Sequence, residues 1–106
     1  MAEDVFCKII NGEIDSEVLF EEEDLVVFAD ANPSAPVHYL VVPKKHIETI
    51  HDATEKDSEL LGRVILAAKR AADELGISDG YKLSFNVKDK GGQEVPHVHL
   101  HLRGGW

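Results

Sequence analysis

The sequence has a single cysteine, Cys7, among its 106 residues. No disulfide can form within the chain, and such sparing use of cysteine fits a reducing compartment. No apolar run approaches the ~20 residues that a membrane-spanning helix needs. The first residues carry no apolar stretch of the signal-peptide kind. These absences lead us to expect a cytoplasmic protein with no membrane partner. Basic residues are scarce as well: eleven lysines and arginines stand against twenty aspartates and glutamates, a formal net charge of −9. Such a surface repels polyanions and argues against a DNA or RNA partner. A single nucleotide stays open, because one phosphate responds to local donors more than to net charge. Repeats, low-complexity tracts and linkers are missing too. The length suits one domain, 1–106, burying roughly two-thirds of the surface of its extended chain.

What the chain does have is histidine concentrated in one place. Three of its six histidines fall in Pro96-His97-Val98-His99-Leu100-His101-Leu102. A strand has a side-chain period of two, so this spelling predicts three imidazoles on one face and the aliphatics on the other. Alternate positions lie roughly 6.5–7 Å apart, close enough for neighbouring rings to bracket one small group. A helix would turn positions i and i+2 away from each other. Three imidazoles on one face suit a metal ion or a phosphoryl group. With an ordinary pKa of about 6.5, histidine serves as nucleophile or as proton donor near neutrality. Gly91-Gly92-Gln93 comes just before this stretch, and glycines let backbone amides turn towards an anion. Asn86, near the end of the preceding predicted strand, reaches the same mouth.

The remaining pattern supplies a scaffold. Phe6, Ile9 and Ile10 are spaced for a short N-terminal helix that stops on Asn11-Gly12. Glu17 to Glu21 and Leu25 to Ala29 read as strands joined through Glu22-Glu23-Asp24 in a hairpin. The loop Asp30-Ala31-Asn32-Pro33-Ser34-Ala35-Pro36 is stiffened by two prolines and delivers a third strand, Val37 to Val42, which Pro43 ends. Thr54-Glu55-Lys56-Asp57 has the form of a capping box. Leu60, Leu61, Val64, Ile65, Ala68, Ala72 and Leu75 then mark the core stripe of a helix of roughly 30 Å, with Gly76 as its C-cap. Tyr81 to Val87 is a fourth strand and the histidine stretch a fifth. Strands on short loops with one long helix predict an α+β domain on an antiparallel sheet.

Gly91-Gly92-Gln93, two residues, then His97-Val98-His99-Leu100-His101-Leu102 resembles the signature of the histidine-triad nucleotide hydrolases and transferases. Phe6-Cys7-Lys8-Ile9-Ile10, Gly12-Glu13-Ile14, Phe28-Ala29-Asp30, Pro36-Val37-His38 and Val42-Pro43-Lys44-Lys45-His46-Ile47 agree with it in order. The likeness runs from about Phe6 to Gly105, and Gly104-Gly105 draws it to the branch called histidine-triad nucleotide-binding proteins.

The resemblance implies a five-stranded antiparallel sheet with one long helix and a short N-terminal helix. It also implies a homodimer that joins two such sheets with the long helix at the interface, Ala67 and Ala71 offering it a second apolar side. The implied chemistry is attack by His99 on the α-phosphorus of a purine nucleoside phosphoramidate or aminoacyl adenylate, forming a nucleotidyl-imidazole that water resolves to the nucleoside monophosphate. His101 would contact the phosphate and manage the proton of the leaving group. His97 and His38 would fix the ring of His99. Backbone amides near Gly92 and Gln93, with Asn86, would hold phosphate oxygens. Asp30 would grip the ribose, and Phe6, Ile9, Ile14 and Phe28 would form the base slot. Neither cofactor nor catalytic metal is expected.

Two rivals accompany this reading: a zinc protein using Asp4, Cys7, His46 and His97, and a nucleotide-binding interaction protein with vestigial activity. Two residues depart from the family pattern. Arg103 replaces an apolar residue at the exit of the histidine strand, and Glu94 stands where many members carry serine.

Overall fold

The computed structural model describes residues 4–106; residues 1–3, where the expected domain 1–106 and its unremarkable N-terminus begin, lie outside that description. Helix α1 (Val5–Ile10) is capped by Asp4, whose carboxylate accepts from the Cys7 N–H at 2.8 Å. Strands β1 (Val18–Glu21) and β2 (Leu25–Ala29) form the expected hairpin, closed by the Glu22 N–H donating to the Leu25 carbonyl at 2.8 Å. Strand β3 (Val37–Pro43) follows the proline-bearing loop, and helix α2 (Ser58–Glu74) carries the chain to β4 (Tyr81–Ser84). Strand β5 (Leu100–Gly104) enters between β3 and β4, giving one antiparallel sheet in the order β1-β2-β3-β5-β4.

The sheet is covered on both faces, which explains why β2 and β3 read as nearly continuous apolar runs. Leu25, Val27, Val41, Leu100 and Leu102 pack against Val64, Ala67, Ala68, Ala71 and Ala72 of α2. Val26, Phe28, Leu40 and Val42 pack on the opposite face with Phe6 of α1. The capping box is present, the Thr54 N–H donating to Asp57 at 2.9 Å, but it caps a 3₁₀ turn (Glu55–Asp57) that leads into α2. The helix proper is therefore 17 residues long, about 26 Å. Gly76 terminates it with φ +73°. Among the described residues no helix is long and apolar enough to cross a membrane.

Three sequence expectations need correcting here. The fourth strand stops at Ser84, and the fifth begins only at Leu100, because the Val98 N–H donates to the Ile47 carbonyl at 2.7 Å and takes 97–98 out of the ladder with β3. Ala67 and Ala71 are fully buried, their small side chains letting α2 lie close on the sheet. The apolar surface that α2 leaves outward is Ile65 and Leu66, 47% and 55% exposed.

Gly105 ends β5 in a conformation that other residues seldom adopt. Its φ is +88°, and a Cβ there would lie 2.9 Å from Val37 Cγ2 and 3.2 Å from Pro36 Cβ. Gly105→Ala is expected to cost about 1–3 kcal/mol in thermal or urea unfolding. Gly80→Ala, where the added Cβ meets nothing within 4 Å, serves as the mild reference. Equal stability of the two variants would contradict this account of the strand's exit.

Candidate active site

The β3–β5 register decides which rings meet. His101 lies opposite Leu40 on β3 and Ser84 on β4, and His38 lies opposite Arg103. This diagonal brings His38 Nε2 to 2.9 Å from His101 Nδ1. His99, one residue ahead of β5, stacks edge-on against His101 with ring centroids 4.9 Å apart, and against Phe6 at the same separation.

The donors around these rings assign their protons. The backbone N–H of Ser34 donates to His38 Nδ1 at 3.0 Å, so the His38 proton resides on Nε2. That Nε2–H donates to His101 Nδ1, with the Asp30 carboxylate 3.3 Å to one side. His101 therefore carries its own proton on Nε2, a buried atom with no hydrogen-bond partner among the described residues. On His99, Nδ1 lies 2.7 Å from the His97 carbonyl, which only accepts. The His99 proton is thus on Nδ1 and its lone pair on Nε2.

Burial holds all three rings neutral. Desolvation pushes His99 below its ordinary value, against a raising effect from its bond to the His97 carbonyl. His38 is lowered by burial, opposed by Asp30 and reinforced by Arg103. His101 falls to about 4, chiefly through burial, then through His99, Arg103 and His38, with Asp30 acting the other way.

These rings open onto a cavity of about 420 Å³, a size suited to a small-molecule ligand. Phe6, Ile9, Ile14 and Phe28 supply an apolar end, and Asp30, Asn86, Gly92, His38, His99 and His101 supply the polar part. Phe6 and Phe28 are buried core as well as wall, their rings edge-to-face at 5.6 Å. Leu40 is likewise both buried and part of the wall.

Two expected members have partners other than those the resemblance implies. The His97 ring is fully buried outside the cavity, with Phe6 packed edge-on against it as well as against His99. It reaches His99 through its main-chain carbonyl, because the bend at 95–97 breaks the alternation. Likewise His38 supports the ring of His101, not that of His99.

Gln93 is committed internally. Its Oε1 accepts from the Lys88 N–H at 2.9 Å, and its Nε2 donates to the Glu48 and Val95 carbonyls. The amides of Gly92 and Gln93 donate to Asp89 and Lys88 carbonyls, so they close a turn instead of facing an anion. That turn holds Lys88 at φ 61°, a conformation costly without such support. Asn86 Nδ2 reaches the Gly92 carbonyl at 3.4 Å from the cavity wall.

The His97 ring belongs to a second cluster. Its Nε2 donates to the Pro43 carbonyl at 2.7 Å, which leaves Nδ1 facing Asp4 Oδ2 at 3.2 Å and Cys7 Sγ at 3.7 Å. His46 Nδ1 lies 3.2 Å from the same carboxylate oxygen and 3.8 Å from Cys7 Sγ. Ligand atoms of a tetrahedral zinc site with bonds of about 2.1 Å are roughly 3.4 Å apart, so this oxygen, sulfur and two nitrogens fit a divalent cation. In the other candidate group, Asp30, His38 and His101, the facing ring nitrogens are already engaged with each other.

The HIT domain family model matches residues 11–105. The chain belongs to the HIT domain family. An uncharacterised HIT-like protein of Synechocystis sp. is 45% identical over 106 residues, with 99% of this chain and 93% of the relative covered. The purine nucleoside phosphoramidase of Escherichia coli K12 is 42% identical over 107 residues, covering 99% of this chain and 90% of its own. Among solved structures, a HIT family hydrolase from Legionella pneumophila superposes with a TM-score of 0.95 at 50% identity, over 98% of this chain and 94% of that one. Within this HIT domain, sequence reasoning assigned no role to Ser34 or Arg103, both of which line the cavity. Arg103 follows His101 by two residues and so shares its strand face, a signal present in the sequence. Ser34 sits in an irregular loop, where no periodicity points.

Proposed function

We propose that this HIT-family chain is a hydrolase that cleaves purine nucleoside phosphoramidates or aminoacyl adenylates, releasing the nucleoside monophosphate through a nucleotidyl intermediate on His99. The carrying observation is that the rings of His99 and His101, with centroids 4.9 Å apart, hold opposite proton states: a lone pair on His99 Nε2 and an N–H on His101 Nε2. His99 attacks the α-phosphorus and forms an N–P bond while His101 donates to a phosphoryl oxygen. The P–N bond breaks with its electron pair on the amine, which takes a proton from solvent at the mouth that His101 borders; an aminoacyl adenylate breaks its P–O bond and releases the carboxylate. Water then attacks the phosphorus, and the nucleoside monophosphate leaves with His99 restored. Asp30 receives the ribose hydroxyls, Asn86 and the turn at Gly92 border the phosphate, and Phe6, Ile9, Ile14 and Phe28 flank the base. Gln93 shapes that turn. The E. coli relative's name, purine nucleoside phosphoramidase, supports the substrate class.

The chemistry needs no metal and no cofactor, since a cation at His99 Nε2 would occupy the attacking lone pair. A cation held by Asp4, Cys7, His46 and His97 would instead contribute folding energy by pinning α1 to the sheet. Turnover of adenosine phosphoramidate is expected to agree within about twofold with and without chelator. Loss of activity in chelator and its return with zinc would overturn this reading. Tight nucleotide binding without turnover would favour the interaction-protein alternative.

The whole chain acts as one cytoplasmic domain, and two copies form the working unit. Ile65 and Leu66 on α2 and Leu83 on the edge strand β4 are exposed together with an open strand edge, which a second copy would cover. Light scattering at micromolar concentration is expected to return twice 11.7 kDa. A species of 11.7 kDa alone would remove the dimer.

A further inference from the structure

We propose that Arg103 is a positioning residue for His101: its guanidinium, beside Nδ1, holds that nitrogen as an acceptor and so keeps the ring proton on Nε2. The inference rests on the reading of His101 as the phosphate donor. It starts from how the arginines are partnered. Arg63 pairs with Asp24 and Arg70 with Glu22, whereas Arg103 has no carboxylate oxygen within 4.0 Å among the described residues. Its Nε donates to Ser34 Oγ at 2.9 Å and its Nη1 to Ser84 Oγ at 3.0 Å. Its Nη2 stands 3.4 Å from His101 Nδ1.

The consequences follow from geometry and charge. Two neutral hydroxyls on separate segments, the loop before β3 and strand β4, fix the planar fork without neutralising it. An uncompensated positive charge therefore sits beside His101 in a protein that is otherwise strongly acidic. His101 Nδ1 already accepts the Nε2–H of His38. A proton placed on Nδ1 would meet that donor and the guanidinium N–H head-on, so the other tautomer and the doubly protonated ring are both disfavoured. Of the groups around His101, His38 lies on β3, Ser84 on β4, and His99 and Arg103 along its own stretch. Asp30, the carboxylate in this set, favours protonation and is outweighed. An apolar residue at 103 would leave the His38 contact alone in control of the ring.

The test compares wild type, Arg103→Leu and Arg103→Lys by long-range ¹H–¹⁵N spectra of the imidazoles from pH 4 to 8, alongside turnover of adenosine phosphoramidate. In wild type His101 is expected to hold the neutral Nε2–H pattern down to about pH 5. In Arg103→Leu its titration should move up by about one pH unit. Its kcat should fall about tenfold, the loss expected for one charge-assisted hydrogen bond, with KM changed less than about threefold. Arg103→Lys, which keeps charge but loses the fork, should fall between. An unchanged His101 titration and tautomer in Arg103→Leu would overturn the proposal, as would a loss of KM alone. If Arg103→Leu loses its dispersed spectrum, Ser84→Ala releases one prong of the fork and should move His101 in the same direction by less; no movement there overturns the proposal. The ring spectra need no substrate, so a wild type that binds nucleotide without turnover would end the phosphoramidase reading and still leave Arg103 tested.

Discussion

Replacing His99 with alanine is expected to lower turnover by roughly 10³-fold or more, while purine nucleoside monophosphate still binds within a few-fold of wild type. The split follows from the division of labour in the cavity. In the proposed mechanism the attacking lone pair belongs to His99 Nε2 alone, because Nδ1 is held by the His97 carbonyl at 2.7 Å. On the proposed reading, base and ribose contacts fall to Phe6, Ile9, Ile14, Phe28 and Asp30, cavity-lining residues that this change does not replace. His101→Ala should slow turnover less, since it removes a donor and keeps the nucleophile. Rapid quenching of wild type with a labelled substrate should trap an acid-labile nucleotidyl adduct. Near wild-type turnover by His99→Ala, or an adduct mapped to another residue, would sink the mechanism.

Acid is expected to act on both the rate and the fold. The proposed mechanism needs His99 and His101 neutral, and burial lowers both below the ordinary value near 6.5. Turnover should therefore be flat through neutrality and fall as the pH drops through these lowered values, about 4 in the case of His101. Stability changes over a wider range. The unfolded chain protonates its histidines near 6.5, whereas folded His38, His99 and His101 resist. Above 6.5 both states are neutral there and the three rings leave stability independent of pH. Below it the unfolded state binds the extra protons, so stability declines as the pH falls from 6.5 towards the folded values. For His101 alone the full loss amounts to up to about 3 kcal/mol, a sizeable part of a small domain's stability. Urea unfolding at pH 7.5 and 5.0 samples the first part of this decline, and His101→Gln should flatten the slope. Equal stability at the two pH values would show that the rings are not held neutral by burial.

Much of the scaffold was legible because local rules and tertiary packing agree. The Glu22-Glu23-Asp24 hairpin, the capping box at Thr54 and Asp57, and the stop at Gly76 each depend on neighbours a few residues away. The period of two correctly put Leu100 and Leu102 in the core under α2, and set His99 and His101 towards the cavity. The alternation failed at His97, where a backbone bond from Val98 to Ile47 turns the chain out of the strand. That bond joins residues about fifty positions apart, and periodicity carries no information at such range. Ala67 and Ala71 misled for a related reason: a stripe of small residues looks the same whether it meets a sheet or a second helix.

By itself the sequence determined the chemical inventory: imidazoles at alternate positions, a carboxylate and apolar residues on preceding elements, and one family pattern spanning them. The helix and strand periods follow from bond geometry, so a linear pattern suffices to read them. Only the tertiary structure decided what each ring can do. The Ser34 amide, the His97 carbonyl and the register of β3 against β5 allocate the protons of His38, His99 and His101. It also gave Gly92 and Gln93 to the turn and His97 to the Asp4, Cys7 and His46 cluster. A hydrogen-bond partner is chosen by proximity in space, and segments distant in sequence acquire that proximity only when the sheet is assembled.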